Sequence, residues 1–236
     1  MTIGKRRRYN SQRYEEIRLH IIKDRLKKPR LWDSIVEYEL KALWKYGVER
    51  ISNKALRESI IHFLEHEAPD GFFLNPASVS GKHHPAWQNR RCGILRNTTE
   101  CCVLADRFIG TKRELCSAMD GVLPEARDVV LAATILSDTF KYGAATVEPS
   151  CRGVKSVLEH GEIAADIWFK NAGMVPSDMA REVFAATKWH LGRFTPGWTP
   201  EIGKKFSPCI EVVHLLDAVF ADKGLEVLYR PKSILE

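Results

Sequence analysis

Along almost the whole of this chain of 236 residues, apolar side chains return every three or four positions and almost nowhere at every second one. A period near 3.6 puts them on one face of a helix, and the period of 2 that a half-buried strand needs leaves room for no more than a short hairpin. The fold class expected is all-α. Tyr14, Ile17, Ile21 and Ile22 make a first stripe, ended near Pro29, and Trp32, Ile35, Val36, Leu40, Leu43 and Trp44 a second, closed by Gly47. A third runs through Leu56, Ile60, Phe63 and Leu64 behind Ser52, a good N-cap residue. Stripes resume at residues 94–109, around Leu115, and at 129–136, 154–169, 179–191 (with Ser177 as cap) and 210–221.

Two loops interrupt the pattern. Residues 68–85, APDGFFLNPASVSGKHHP, are rich in Gly, Pro and Ser and long for a connection without structure, a length that usually carries function or disorder. The second loop runs from Asp138 to Pro149. The expected organisation is a basic N-terminal arm and helix at 1–30, a helical segment at 31–75 and a helical domain at 76–236.

Composition limits the class. With 44% apolar and 28% charged residues the chain can bury a core and stay solvated. No apolar run reaches the ~20 residues that span a bilayer, and MTIGKRRRYN leads into polar sequence, so a cytoplasmic protein without a membrane partner is expected. None of the six cysteines forms a C-x-x-C pair, and they read as reduced structural thiols. Residues 1–30 hold eleven Lys/Arg against three acids, a local +8, whereas the other 206 come to −2. Lys5, Arg6, Arg7 and Arg8 can neutralise nucleic-acid phosphates, or form a solvated face or a partner-contacting arm.

The informative residues break the helical code. His160 lies on a stripe with Val157 and Ala164, His190 follows Val183 and Thr187, and Asp217 sits between Val213 and Phe220. Asp138 ends the apolar segment at 129–136. A lone buried histidine is more often a satisfied core residue, but two carboxylates aimed at one core repel unless a cation or a proton lies between them. Two carboxylates and two imidazoles on neighbouring helices suit a divalent metal inside a helical bundle.

In chain order the segments GKHHP, ILRNTTE, RDVVLAATILSDTFKYG, EHG, WHLGRF and HLLDAVFAD, spread over residues 81–222, resemble the HD-domain superfamily of metal-dependent phosphohydrolases. The likeness is to small phage and bacterial members whose segments read GKYHP, RHT, LLHDGLKYG, EHP, HMGRW and HLAD; a phage-encoded chain would work in host cytoplasm. It covers about residues 76–225 and implies an HD-like bundle with an N-terminal helical extension. Asp138 then matches the motif aspartate that bridges two metals, Asp217 the distal aspartate of the first site, His160 and His190 the histidines of the second, and Lys141 the lysine of the LHDxxK segment. Asn97 and Ser137 stand where the family has the two histidines of its first site. What remains whole is Asp138, His160 and His190, a set for one Mn, Mg, Fe or Zn ion.

Three readings follow from the resemblance. One is an altered phosphohydrolase acting on a nucleotide or other phosphorylated small molecule, with Lys141 or Arg193 steadying charge and His84 or His83 as a substrate-side acid. The second is a degenerate relative that binds a nucleotide or a protein partner. The third is a nucleic-acid-binding protein that uses the basic arm. An iron oxygenase is a minority outcome, since its relatives keep a binuclear centre.

Overall fold

The computed structural model describes residue 22 and residues 33–111, 125–145 and 155–221. The cluster Lys5, Arg6, Arg7 and Arg8, the helices expected near Tyr14 and Leu115, and Cys116 and Cys151 lie outside the described residues. Those described form nine α-helices and two 3-10 turns with no strand, as the all-α expectation requires. The helices are α1 (Ser34–Tyr46), α2 (Lys54–His66), α3 (Asp70–Leu74), α4 (Gly93–Thr111), α5 (Ala126–Ser137), α6 (His160–Asn171), α7 (Ser177–Lys188), α8 (Pro200–Gly203) and α9 (Pro208–Ala221).

The sequence of α5, ARDVVLAATILS, is apolar nearly all round, and a helix of that kind must be enclosed on every side. Every residue from Asp128 to Ser137 is buried, with α2, α4, α6, α7 and α9 packed about it. α1 and α3 join through α4. One apolar core takes residues from Ile22 to Leu216, so the described part of the 31–75 segment shares its core with the rest. Polar ties fix the helices around α5. The Asn53 N–H donates to Asp128 Oδ2 (2.6 Å), Trp168 Nε1 donates to Ser59 Oγ (3.1 Å), and Arg127 is bound between Asp106 and the Arg50 carbonyl. Arg127 is thus committed to packing.

Several boundaries differ from the periodicity. The side chain of Asn53, not Ser52, caps α2, accepting from the Leu56 N–H at 3.0 Å. Within the loop at 68–85 lies α3, which buries Phe72 and Phe73. α6 starts at His160 rather than near 154, because the Val157 N–H donates to the Lys141 carbonyl (2.8 Å) and holds residues 155–157 out of helix. Ser177 gives no side-chain cap to α7, and α7 stops at Lys188, so His190 lies in the turn beyond it.

Candidate metal centre

Past Ser137 the chain folds into consecutive tight turns. The Lys141 N–H donates to the Asp138 carbonyl (3.1 Å) and the Gly143 N–H to that of Phe140 (2.8 Å). This winding returns the Lys141 ammonium to the Asp138 side chain, Nζ to Oδ2 at 2.9 Å. Two contacts brace the turn from the loop before α4: the Val79 N–H donates to Tyr142 Oη (3.0 Å), and Asn75 Nδ2 donates to the Ala145 carbonyl (2.9 Å). Asp138 is therefore held at the end of the most enclosed helix of the fold.

His160 opens α6 and His190 follows α7, and each aims Nδ1 at the backbone carbonyl three residues earlier, that of Val157 and that of Thr187. A carbonyl only accepts, so each Nδ1 carries a proton and each ring turns its Nε2 towards Asp138. The two Nε2 atoms are 3.0 Å apart, and they lie 3.2 Å (His160) and 3.9 Å (His190) from Asp138 Oδ1. Oδ1 faces both Nε2 atoms and is left without a hydrogen-bond partner of good geometry. Burial, and then His160, press His190 down to about 3, which keeps it neutral. Burial alone would raise Asp138, but Lys141, His160 and His190 together outweigh it and hold the carboxyl well below its usual range.

Three acceptor atoms thus face one another from residues 2% (Asp138), 2% (His160) and 0% (His190) exposed. An unsatisfied buried polar group costs about 1–3 kcal/mol, and one cation satisfies all three. Four ligands about 2.0–2.1 Å from a tetrahedral ion stand roughly 3.3 Å from each other. The separations here bracket that value, so Asp138, His160 and His190 fit a metal ion. Gly161 makes the approach possible. A Cβ there would sit 2.6 Å from both His190 Nδ1 and the Thr187 carbonyl.

No protein-family model, curated protein or solved structure matches the chain. The site is read from its own geometry.

Beside the triad, Asn97 Nδ2 donates to Asp138 Oδ2 at 3.4 Å, and Ser137 Oγ donates to the Thr134 carbonyl at 3.1 Å. Asn97, Ser137 and Asp217 line a small cavity of about 10 Å³, close to the least space that holds one water. Asp217 lines both this cavity and a larger cleft, and does not join the group whose ligand atoms are all within 4.8 Å of one another. Burial, followed by the charge of Asp138, pushes its carboxyl up to about 6.

His160 also lines the larger cleft, of about 870 Å³. Its walls carry Lys82, Lys141, Lys155, His83, His84 and His214 against one carboxylate, Asp217, with Leu158 and Phe194 as apolar members. Burial alone would lower Lys141, but Asp138 and then Asp217 outweigh it, so the ammonium is retained. His84 is pushed down to about 4 by burial and then by Lys141, which makes it neutral at pH 7 and ill suited to the acid role expected of it. Arg193 is exposed, 5.0 Å over the Phe194 ring, and is not a lining residue of the cleft. Trp168 is fully buried, Trp189 packs on Phe206 with ring centroids 5.9 Å apart, and Trp198 lies beside Gly203, so all three pack rather than line the cleft. Cys92, Cys101, Cys102 and Cys209 are free and buried, and burial pushes Cys92 and Cys209 up to about 12, which leaves no thiolate nucleophile among them.

Sequence reasoning singles out neither Gln88 nor Glu100. His84 Nδ1 is 2.9 Å from Gln88 Oε1, Gln88 Nε2 donates to Glu100 Oε2 at 2.6 Å, and Trp87 Nε1 donates to the same oxygen at 3.4 Å. The available signal was slight: Glu100 falls one helical turn after Asn97, on the same side of α4.

Proposed function

We propose that this chain is a metal-dependent phosphohydrolase of the HD-domain kind, built around a single-metal site, that acts on a nucleotide or related phosphoester. The observation that carries the reading is the buried acceptor triad beside a cleft walled by cations. Two nitrogens and one carboxylate suit Zn, Fe or Mn better than Mg. A bound divalent ion supplies Lewis acidity and a water acidic enough to attack near pH 7.

The chain's own residues supply the rest. Lys82 and Lys155 draw a phosphate group into the cleft, and Lys141 lies next to the triad, where it faces the phosphoryl oxygens as their charge grows. Water then adds to phosphorus as the ester P–O bond breaks, and the alcohol leaves with the proton that water gives up. With Asn97 and Ser137 in place of imidazoles, the first site of the family's binuclear centre offers an amide, a hydroxyl and the Asp217 carboxylate but no imidazole, around space for about one water. That observation also favours a runner-up, a binder that holds a nucleotide without cleaving it.

The test is metal analysis of protein purified without chelator, followed by hydrolysis of a panel of nucleoside monophosphates and chromogenic mono- and diesters. The expected result is about one equivalent of metal, with chelator-sensitive turnover that Lys141→Ala lowers by roughly 100-fold or more. A metal-loaded protein that binds nucleotides and cleaves none leaves the binder reading standing, and one that takes up no metal, even when it is added, removes the hydrolase reading and leaves a degenerate binder.

A further inference from the structure

The buried chain from His84 to Glu100 has no place in the reading above, and its hydrogen-bond directions can be worked out from the outer end. Glu100 receives two N–H donors on one oxygen, from Trp87 Nε1 and Gln88 Nε2. The indole can only donate, so the oxygen it meets is an acceptor. Gln88 therefore has its amide nitrogen towards Glu100 and its carbonyl oxygen towards His84, and that oxygen can only accept. The proton of the neutral His84 ring must sit on Nδ1, which leaves a lone pair on Nε2. Nε2 is 3.4 Å from the Lys141 ammonium, a donor with no lone pair, which agrees with the same assignment.

The parts are held in place. Gln88 is fully buried and His84 is 3% exposed, while Asn89 Nδ2 donates to the His84 carbonyl at 2.6 Å. The Ala77 N–H donates to the Gln88 carbonyl at 2.9 Å, and a Cβ at Gly93 would fall 1.7 Å from that oxygen. The chain thus runs from the partly buried Glu100 on α4 through the buried Gln88 to His84 at the wall of the cleft.

We propose that Glu100, acting through Gln88, is a positioning residue that fixes His84 in the Nδ1–H tautomer, so that the cleft meets an acceptor at Nε2 beside Lys141. The tautomer follows from the hydrogen bonds alone; its use deepens the phosphoester reading. A bare phosphoryl oxygen is repelled by the Nε2 lone pair and goes to the lysines, whereas a hydroxyl or water O–H is accepted there. His84 then sorts the two kinds of oxygen in a phosphoester and its attacking water.

The experiment is long-range proton–nitrogen correlation NMR on uniformly ¹⁵N-labelled, metal-free protein, with the His84 signals assigned by their loss in His84→Gln. The wild type should show the Nδ1–H form in excess by about tenfold or more, the share one hydrogen bond of ordinary strength sets. Glu100→Gln, which keeps an acceptor for Gln88, should retain that excess, and Glu100→Leu should bring the two forms to near equality. A wild-type ring protonated on Nε2, or a Glu100→Leu ring unchanged from wild type, overturns the proposal. If Glu100→Leu does not fold, the wild-type spectrum decides alone. Since no metal or substrate is present, failure here leaves the phosphohydrolase reading untouched, and failure of that reading leaves this result untouched.

Discussion

Replacing Asp138 with Asn changes almost no volume and separates the roles of its carboxylate. In the metal-free protein it removes the counterion of the Lys141 ammonium, whose side chain is 14% exposed, from a contact of 2.9 Å. Breaking a buried pair costs about 3–5 kcal/mol. The new amide, however, can give an N–H to one of the two Nε2 lone pairs, which returns about 1 kcal/mol. The net loss is about 2–4 kcal/mol, or roughly 4–16 °C of melting temperature at the 2–4 °C per kcal/mol usual for a chain of this size. With metal the contrast grows. An ion at one hundred times its dissociation constant stabilises the wild type by about 2.7 kcal/mol, a rise of roughly 5–11 °C, and Asp138→Asn should show none of it. The assay is circular-dichroism melting of both proteins with chelator and with Zn²⁺ or Mn²⁺. A variant that melts like the wild type in chelator refutes the account of Lys141, and one that keeps the metal-induced rise refutes the triad.

Acid should unfold the metal-free protein through its histidines. His84 and His190 are held down to about 4 and about 3, so their contribution is complete above the unfolded value near 6.5 and drains away as pH falls through the folded values. Each sets a slope of about 1.4 kcal/mol per pH unit, while Asp217, raised to about 6, takes up its proton in the folded state and cancels one of them below pH 6. Urea titrations from pH 7 to 4 should therefore show stability falling with acid, and flat stability over that span contradicts the burial of these rings. Gly161→Ala drives a methyl group into the His190 ring, where the Cβ would be 2.6 Å from Nδ1. It should cost about 1–3 kcal/mol by overpacking and also abolish the metal-induced rise in melting temperature; retention of the full rise would show that His190 is not a ligand.

Much of the fold was legible because most helices here bury a single stripe. The pattern of Val36, Leu40 and Leu43 gives α1, and the unbroken apolar run of α5 marks it as the enclosed helix. Five residues cannot display a period, so α3 was hidden in a Gly- and Pro-rich stretch although Phe72 and Phe73 anchor it. The starts and ends that slipped belong to segments pulled by tertiary bonds, as when the Lys141 carbonyl takes the Val157 N–H away from a longer α6. At the site, Asp138, His160 and His190 stood out as polar residues at apolar positions, yet their meeting depends on three separate helices. Asp217 bore the same signature and falls outside the group, because inward direction on a helix does not fix distance from a point. Gln88 and Glu100 carried no signature at all, since their value lies in a chain of hydrogen bonds closed only by folding.

The position of Asp138 at the end of α5 has one more consequence. The closing carbonyls of a helix carry about half a negative charge, so at this point negative potential is supplied twice, by the backbone and by the carboxylate. A phosphate arriving first would meet that potential with only Lys141 to soften it, and would settle towards Lys82 and Lys155 instead. On the proposed reading the reactants must then load in a compulsory order, ion before anion, and kinetics at limiting metal should show phosphate compounds as ligands that bind well only to protein already charged with its ion.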